Sequence, residues 1–148
     1  MARKLDWLPT KVRARYQRTP NAISLVLDNT LGEYMAGQHV DVRLVAPDGY
    51  EARRSYSIAS PPGSAGLELL IERLPSGEVS PFLADELQPG EFLEIRGPVG
   101  GHFTWTPSNR SPIALVAGGS GIAPLMSMAR LRALAPEPAA PARLLYGR

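Results

Sequence analysis

The chain has 148 residues, 44% of them apolar, no cysteine and a net charge of only +2. That length suits one domain, or one and a fragment, with enough apolar side chains for a packed core. The missing cysteines exclude disulfides, thiolate catalysis and Cys-ligated iron–sulfur clusters within the chain, and two distant histidines, His39 and His102, give no zinc or di-iron spacing.

Basic residues are dispersed and the few aromatics do not interleave with them, which reads as a solvated surface and not as a nucleic-acid site. Room remains for a docking patch facing an acidic redox partner. Met1 to Trp7 is basic but lacks the apolar core and cleavage site of a signal peptide, so the cytoplasm is the expected compartment. No apolar run approaches about 18 residues, and no membrane span is expected.

Lys11 to Gln17 alternates, with Val12, Ala14 and Tyr16 on one face and Lys11, Arg13, Arg15 and Gln17 on the other, as in a half-buried strand. Ala22 to Leu27 and His39 to Leu44 repeat the pattern. Arg53 to Ile58, Leu67 to Glu72 and Phe92 to Arg96 follow, the last ended by Gly97-Pro98. Six short strands joined by turns rich in glycine and proline predict a mainly β fold, an antiparallel Greek-key barrel. One capping helix interrupts them: Ser80 suits an N-cap and Pro81 the first helical position, with the helix running to about Leu87.

The character changes over residues 106–112. Ile113 to Ala117 is a continuous apolar run, as in a parallel strand covered on both faces. Gly118 to Gly121 leads into a helix with Ile122, Leu125, Met126 and Ala129 on one stripe, ended by Ala135-Pro136-Glu137-Pro138. Arg143 to Tyr146 is a second parallel-type strand. This is a partial β-α-β unit of a parallel α/β nucleotide-binding domain, and the expected division is 1–108 and 109–148.

Arg54-Ser55-Tyr56-Ser57 puts a guanidinium and an aromatic ring two residues apart, on one face of a strand. The ring offers a stacking surface and the guanidinium a fork for a pyrophosphate, so the segment suits a flat aromatic cofactor with a phosphate tail. Ser57 follows the ring, but the pleat turns it away unless the strand bends. Gly77-Glu78-Val79-Ser80 leads into the predicted helix start, a place for phosphate contact or simple capping, with Glu78 expected to point to solvent. Gly97 to Gly101 permits close backbone approach. Gly118-Gly119-Ser120-Gly121 lies between a buried strand and a helix, the setting of a dinucleotide turn, although it is not a G-x-G-x-x-G sequence.

In order and spacing these stretches resemble the ferredoxin–NADP reductase superfamily of flavin-dependent electron-transfer enzymes. Arg54 to Ser57 is similar to its R-x-Y-[ST] signature. Glu72-Arg73 with Gly77, Val79 and Ser80 resembles its second flavin segment. Gly97-Pro98-Val99-Gly100 with Phe103 resembles its G-P-x-G-x-F turn, and Gly118 to Pro124 its G-G-x-G-I-x-P nucleotide turn. The resemblance implies an FAD barrel joined to an NAD(P)-binding domain, with FAD the cofactor (FMN the alternative) and NAD(P)H the co-substrate. Hydride passes from NAD(P)H to FAD, and electrons pass on to a partner bearing an iron–sulfur or haem centre. It implies Arg54 on the pyrophosphate, Tyr56 stacked on the isoalloxazine, Ser57 near its N5, and Gly119, Ser120 and Gly121 on the nucleotide phosphates, with Arg148 near a 2′-phosphate. Tyr56 and Ser57 are the candidate catalytic pair. The family's nucleotide domain continues for roughly another hundred residues, so this chain is expected to carry a truncated activity. It is then reduced slowly by NAD(P)H when alone, with residues 109–148 mobile or associated with another copy or partner. The alternative is a flavin-binding electron carrier or protein-interaction module without NAD(P)H activity of its own.

Overall fold

The structure, a computed structural model, describes residues 5–136 and 139–147. Six strands form one antiparallel sheet: β1 (Leu8–Thr19), β2 (Ala22–Asp28), β3 (His39–Val45), β4 (Glu51–Ser57), β5 (Gly66–Glu72) and β6 (Phe92–Val99). Their order is β4-β3-β6-β1-β2-β5. A bridge between Ile58 and Leu69 joins the two ends, and the Ala59 N–H donates to Glu68 O at 2.8 Å, so the sheet closes into a Greek-key barrel. Two strands, β7 (Ile113–Gly118) and β8 (Ala142–Gly147), pair in parallel across helix α1 (Ile122–Leu134). The mainly β fold with one partial β-α-β unit is the one the sequence predicts.

Alternation fills the barrel. Leu25, Leu27, Leu67, Leu69, Ile71, Val40, Val42 and Ile95 are fully or almost fully buried, and each such aliphatic side chain contributes about 1.5–3 kcal/mol of transfer free energy. A second cluster, with Ala36, Trp105, Leu115, Leu125 and Met128, lies between the barrel and α1. Gly37, at φ +106°, is the close approach that permits this: a Cβ there would lie 1.8 Å from Phe103 O.

Several expectations are corrected. In β1 the pairing slips between Val12 and Ala14, so the alternation does not persist along the strand. Tyr16, expected inward, is 50% exposed. Arg15, expected outward, is half-buried and donates to the carbonyls of Leu87, at 3.1 Å, and Ala84. These carbonyls belong to the end of the capping segment, which is a short π-helical turn over Phe82–Glu86 and not an α-helix begun by Ser80. Ser80 caps nothing; its Oγ accepts the Leu74 N–H at 2.9 Å, because the loop before it folds back over the hydroxyl. β6 does not end at Gly97-Pro98 but runs on to Val99, which pairs with His39; the small Gly97 lets the strand pass close to Val40.

In α1 the buried residues are Ala123, Leu125, Ser127 and Met128, while Ile122, Met126 and Ala129 are only half-buried. The helix packs on the barrel as well as on β7, which rotates its stripe. β7 is covered on one face only: Val116 is 70% exposed and Leu145, its partner in register on β8, 65%. Glu137 and Pro138, expected to help end α1, and Arg148 lie outside the described residues.

Replacing Arg15 by Met removes the donor that serves two carbonyls at the end of the π-helical turn. The expected loss is about 1–3 kcal/mol of stability, read from urea denaturation. A midpoint equal to that of the unaltered chain would show that the bonds contribute nothing.

Candidate functional site

The end of β4, the outer face of β5, the loop 74–80 and the start of α1 enclose a cleft of about 540 Å³, within the range of about 300–1,000 Å³ common for small-molecule sites. From β4 it takes Arg54, Ser55, Tyr56 and Ser57; from β5, Leu70 and Glu72. Gly77, Val79 and Ser80 form one lip, and Ser120, Gly121 and Ala123 the other. A neighbouring cleft of about 680 Å³ shares Leu70, Glu72, Ser120 and Ala123, and is bounded further by Gly119, Met126, Arg130 and Tyr146.

Most residues singled out in the sequence therefore meet here. Ser57, the last residue of β4, lines the same cleft as Tyr56. Two candidates lie elsewhere. Arg73 pairs with Asp85 at 2.7 Å, and Gly118 lines neither cleft. Glu78 is exposed as expected, but it is held: the Tyr50 hydroxyl donates to its two oxygens at 3.0 and 3.2 Å.

The chemistry of the walls is specific. Tyr56 is half-buried against the barrel core, and burial pushes its phenol up to about 12, the nearby Arg54 charge only partly offsetting it. The ring is thus a neutral π-surface at any working pH. Arg54 donates to Arg53 O at 2.7 Å, and among the described residues it has no carboxylate partner. Its sheet neighbours do: Arg43 pairs with Glu94 at 2.9 Å, Arg53 with Glu51 at 2.6 Å and Arg96 with Asp41 at 2.8 Å. A free guanidinium, a neutral ring and an apolar wall at Leu70 fit a flat aromatic group with an anionic tail. At the other lip Gly119 has φ +54° with nothing near a would-be Cβ, leaving its backbone open to the cleft beside it.

Sequence reasoning did not select Leu70, Leu74, Ser76 or Ala123. Leu70 had a signal: it is an apolar residue on the outward face of β5, between the inward Leu69 and Ile71. The others come together only through the fold of the loop and the docking of α1.

Along the second cleft the barrel and α1 are joined by polar groups. Ser127 Oγ donates to Ser60 O at 2.8 Å, and Arg130 donates to Ala59 O at 3.0 Å and to the Glu68 carboxylate. Glu68 also accepts Ser24 Oγ at 2.8 Å and faces Arg18. Burial opposes its ionisation, but the bonds from Ser24 and Arg130 and the charges of Arg130 and Arg18 outweigh that and hold its carboxyl below the ordinary value.

A closed barrel with this cleft beside a parallel β-α-β unit defines the class as a flavin-binding domain. A family profile described as "Oxidoreductase FAD-binding domain" matches residues 20–105. The chain is 36% identical to methane monooxygenase component C of Methylosinus trichosporium, over 96% of this chain and 42% of the relative. Among solved structures, the Amycolatopsis cytochrome P450 reductase GcoB superposes with a TM-score of 0.81 at 32% identity, covering 97% of this chain and 43% of that one. Phthalate dioxygenase reductase, described as a modular structure for electron transfer from pyridine nucleotides to a 2Fe–2S centre, gives 0.77 at 26% identity over 95% and 43%. The chain belongs to the oxidoreductase FAD-binding domain family, within the ferredoxin–NADP reductase superfamily. It spans less than half the length of the curated relatives it matches.

The lowered Glu68 carboxyl has a consequence for acid stability. Its contribution is complete above the unfolded-chain value of 4.5 and is lost as pH falls below it. Glu68→Gln should therefore be clearly less stable than the unaltered chain at pH 6, with the gap closing towards pH ~3. Urea midpoints across that range check it; a gap independent of pH would contradict the assignment.

Proposed function

We propose that this chain binds one FAD without a covalent link and forms the flavin half, with the start of the nucleotide half, of an NAD(P)H-dependent oxidoreductase that passes electrons to a partner. In this reading residues 1–108 are the FAD unit and 109–148 the beginning of the NAD(P) unit. The observation that carries it is the cleft in which Arg54, with no carboxylate partner among the described residues, and the neutral ring of Tyr56 lie beside each other. Membership of the FAD-binding domain family supports the same conclusion.

When bound, FAD supplies a hydride acceptor and a carrier that can release electrons one at a time. The chain's own residues bind and orient. Arg54 neutralises the pyrophosphate with charge-assisted bonds. Tyr56 stacks on the flat ring, a contact of about 1–3 kcal/mol by analogy with nucleobase stacking. Ser57 offers a hydroxyl beside that ring, and Leu70 excludes water from the cleft wall. Gly77 and Val79 offer backbone on one lip; Ser80 contributes through the loop it holds, since its hydroxyl is taken by Leu74. Glu72 stands between the two clefts, and Gly119, Ser120 and Gly121 face the nucleotide phosphates. Hydride transfer asks for orientation of two rings more than for an acid or base. Arg73 is spent on Asp85 and acts on the loop, not on the cofactor.

The monooxygenase component and dioxygenase reductase among the relatives support an iron–sulfur or haem partner for the electrons. The exposed apolar face of Val116 and Leu145 supports association through residues 109–148. No helix among the described residues is long and apolar enough to cross a membrane. The cytoplasm, where reduced nicotinamide nucleotides are supplied, is the compartment this reading implies.

Purified protein should be yellow and release FAD on denaturation. Arg54→Ala should weaken FAD binding by about 1.5–3 kcal/mol, the scale of a charged hydrogen bond, and Tyr56→Ala should weaken it and shift the flavin absorption bands. Protein that binds neither FAD nor FMN in a fluorescence titration would overturn the function.

A further inference from the structure

The clefts and the helix that begins at the glycine turn are not held together by apolar packing alone. One small apolar contact, Ala36 and Trp105 against Met128 and Leu125, joins α1 to the barrel. Such a contact sets a distance but allows rotation, because dispersion and burial are not directional. The directional bonds lie beside it, at Ser127 and Arg130 on either side of Met128. Ser127 and Arg130 of α1 donate to Ser60 O and Ala59 O, the residues that continue β4 beyond Tyr56, Ser57 and Ile58. Arg130 also reaches Glu68, whose own N–H donates to Ser60 Oγ at 3.0 Å. Tyr34 locks the same serine from the other side, its hydroxyl 2.8 Å from Pro61 O and 2.9 Å from Ser60 Oγ.

Glu68 is the one carboxylate in this junction. It gathers Ser24 and Arg18 of the barrel and Arg130 of the helix, and its side chain is only 15% exposed. We propose that Glu68 is a positioning residue, fixing the rotation of α1 and hence the place of the Gly119–Gly121 turn relative to the β4 end that carries Tyr56 and Ser57. Glu68 lies outside the cleft of Arg54 and Tyr56; with Arg130 it lines the floor of the second cleft beside Gly119 and Ser120, and it acts on the turn through Arg130. The inference rests on the reading of these two segments as the nucleotide and flavin sites, and it adds what sets their alignment. A rigid helix carries the constraint: the turn precedes α1 directly, and Ala123 of its first turn lines both clefts.

The test uses Glu68→Gln and Arg130→Met in the full chain, with Leu131→Ala as a control that loosens α1 without touching the junction. FAD affinity, titrated by fluorescence, should stay within about twofold in both variants, since the flavin wall is untouched. Amide hydrogen exchange over residues 119–125 should rise about tenfold more than exchange in β2 and β5, whose change follows global stability alone. The chain has two tryptophans, so indole N–H resonances give a second readout. The Trp105 signal should move in both variants, while Trp7, stacked between Arg43 and Arg96 at 4.5 and 4.6 Å, stays in place. Unchanged exchange at 119–125 with a lowered melting temperature would overturn the proposal, as would an equal effect of Leu131→Ala on all readouts. If neither flavin binds to the unaltered chain, the functional reading fails by itself, and exchange and the Trp105 resonance still decide the role of Glu68.

Discussion

The seam between β4 and β5 carries the organisation of this molecule. At Ile58 and Leu69 the two ends of a six-stranded sheet meet, and Ala59, Ser60 and Glu68 complete the join with backbone and hydroxyl bonds. Closure removes two free strand edges, which is what makes a short, turn-rich chain a stable barrel. The same join brings the outer face of β5, with Leu70 and Glu72, beside the end of β4, with Tyr56 and Ser57. The candidate flavin cleft is the outer consequence of closing the barrel. Because Ser60 and Glu68 stand at the rim of the seam, they are also the groups available to receive α1. One structural act makes the wall of the candidate cleft and the platform for α1.

Among the described arginines of β3, β4 and β6, one guanidinium is left without a carboxylate. Arginines on the β3–β4–β6 face are matched with Glu51, Glu94 and Asp41, and Arg43 and Arg96 stack on Trp7, pinning the first described residues to the barrel. Exposed pairs of this kind contribute little to stability, about 0–1 kcal/mol each. Their larger effect is to neutralise the carboxylates nearby. Arg54 sits on the same strand as Arg53 and has no such match among the described residues, so its charge is directed at whatever enters the cleft. Tyr56 beside it is kept neutral by burial, which separates the roles of binding an anion and offering a ring.

The two halves of the junction differ in kind. Inside the barrel, packing is apolar and tolerant of direction; between barrel and helix, one small apolar cluster is joined by a few polar contacts, and each of these demands an angle. An enzyme that must align two rings needs such directional contacts where its two binding segments meet, whereas the barrel needs only to be filled.

Much of this was legible in the sequence because it depends on local pattern. Period-two alternation marked β2 and β3, an unbroken apolar run marked β7, and the glycine turn marked the change to a parallel unit. Arg54 and Tyr56 share a cleft because two residues on a strand share a face, which spacing alone dictates. What failed had non-local causes. The slip in β1 that exposes Tyr16 and turns Arg15 inward arises from pairing with β2. The loop hydrogen bond that takes Ser80 from its expected cap comes from Leu74, and the ion pair that removes Arg73 from the cleft comes from Asp85. The burial of α1 was misjudged because its helical stripe says how apolar a face is, not how many bodies it packs against. Glu68 reads in sequence as the solvent-facing residue of an alternating strand; only closure of the barrel surrounds it with Ser24, Arg18 and Arg130. The sequence determined which segments form and which side chains share a face, since those follow from the geometry of one strand or one helix. The tertiary structure decided which faces meet and which polar groups find partners, because those energies exist only once distant segments are brought into contact.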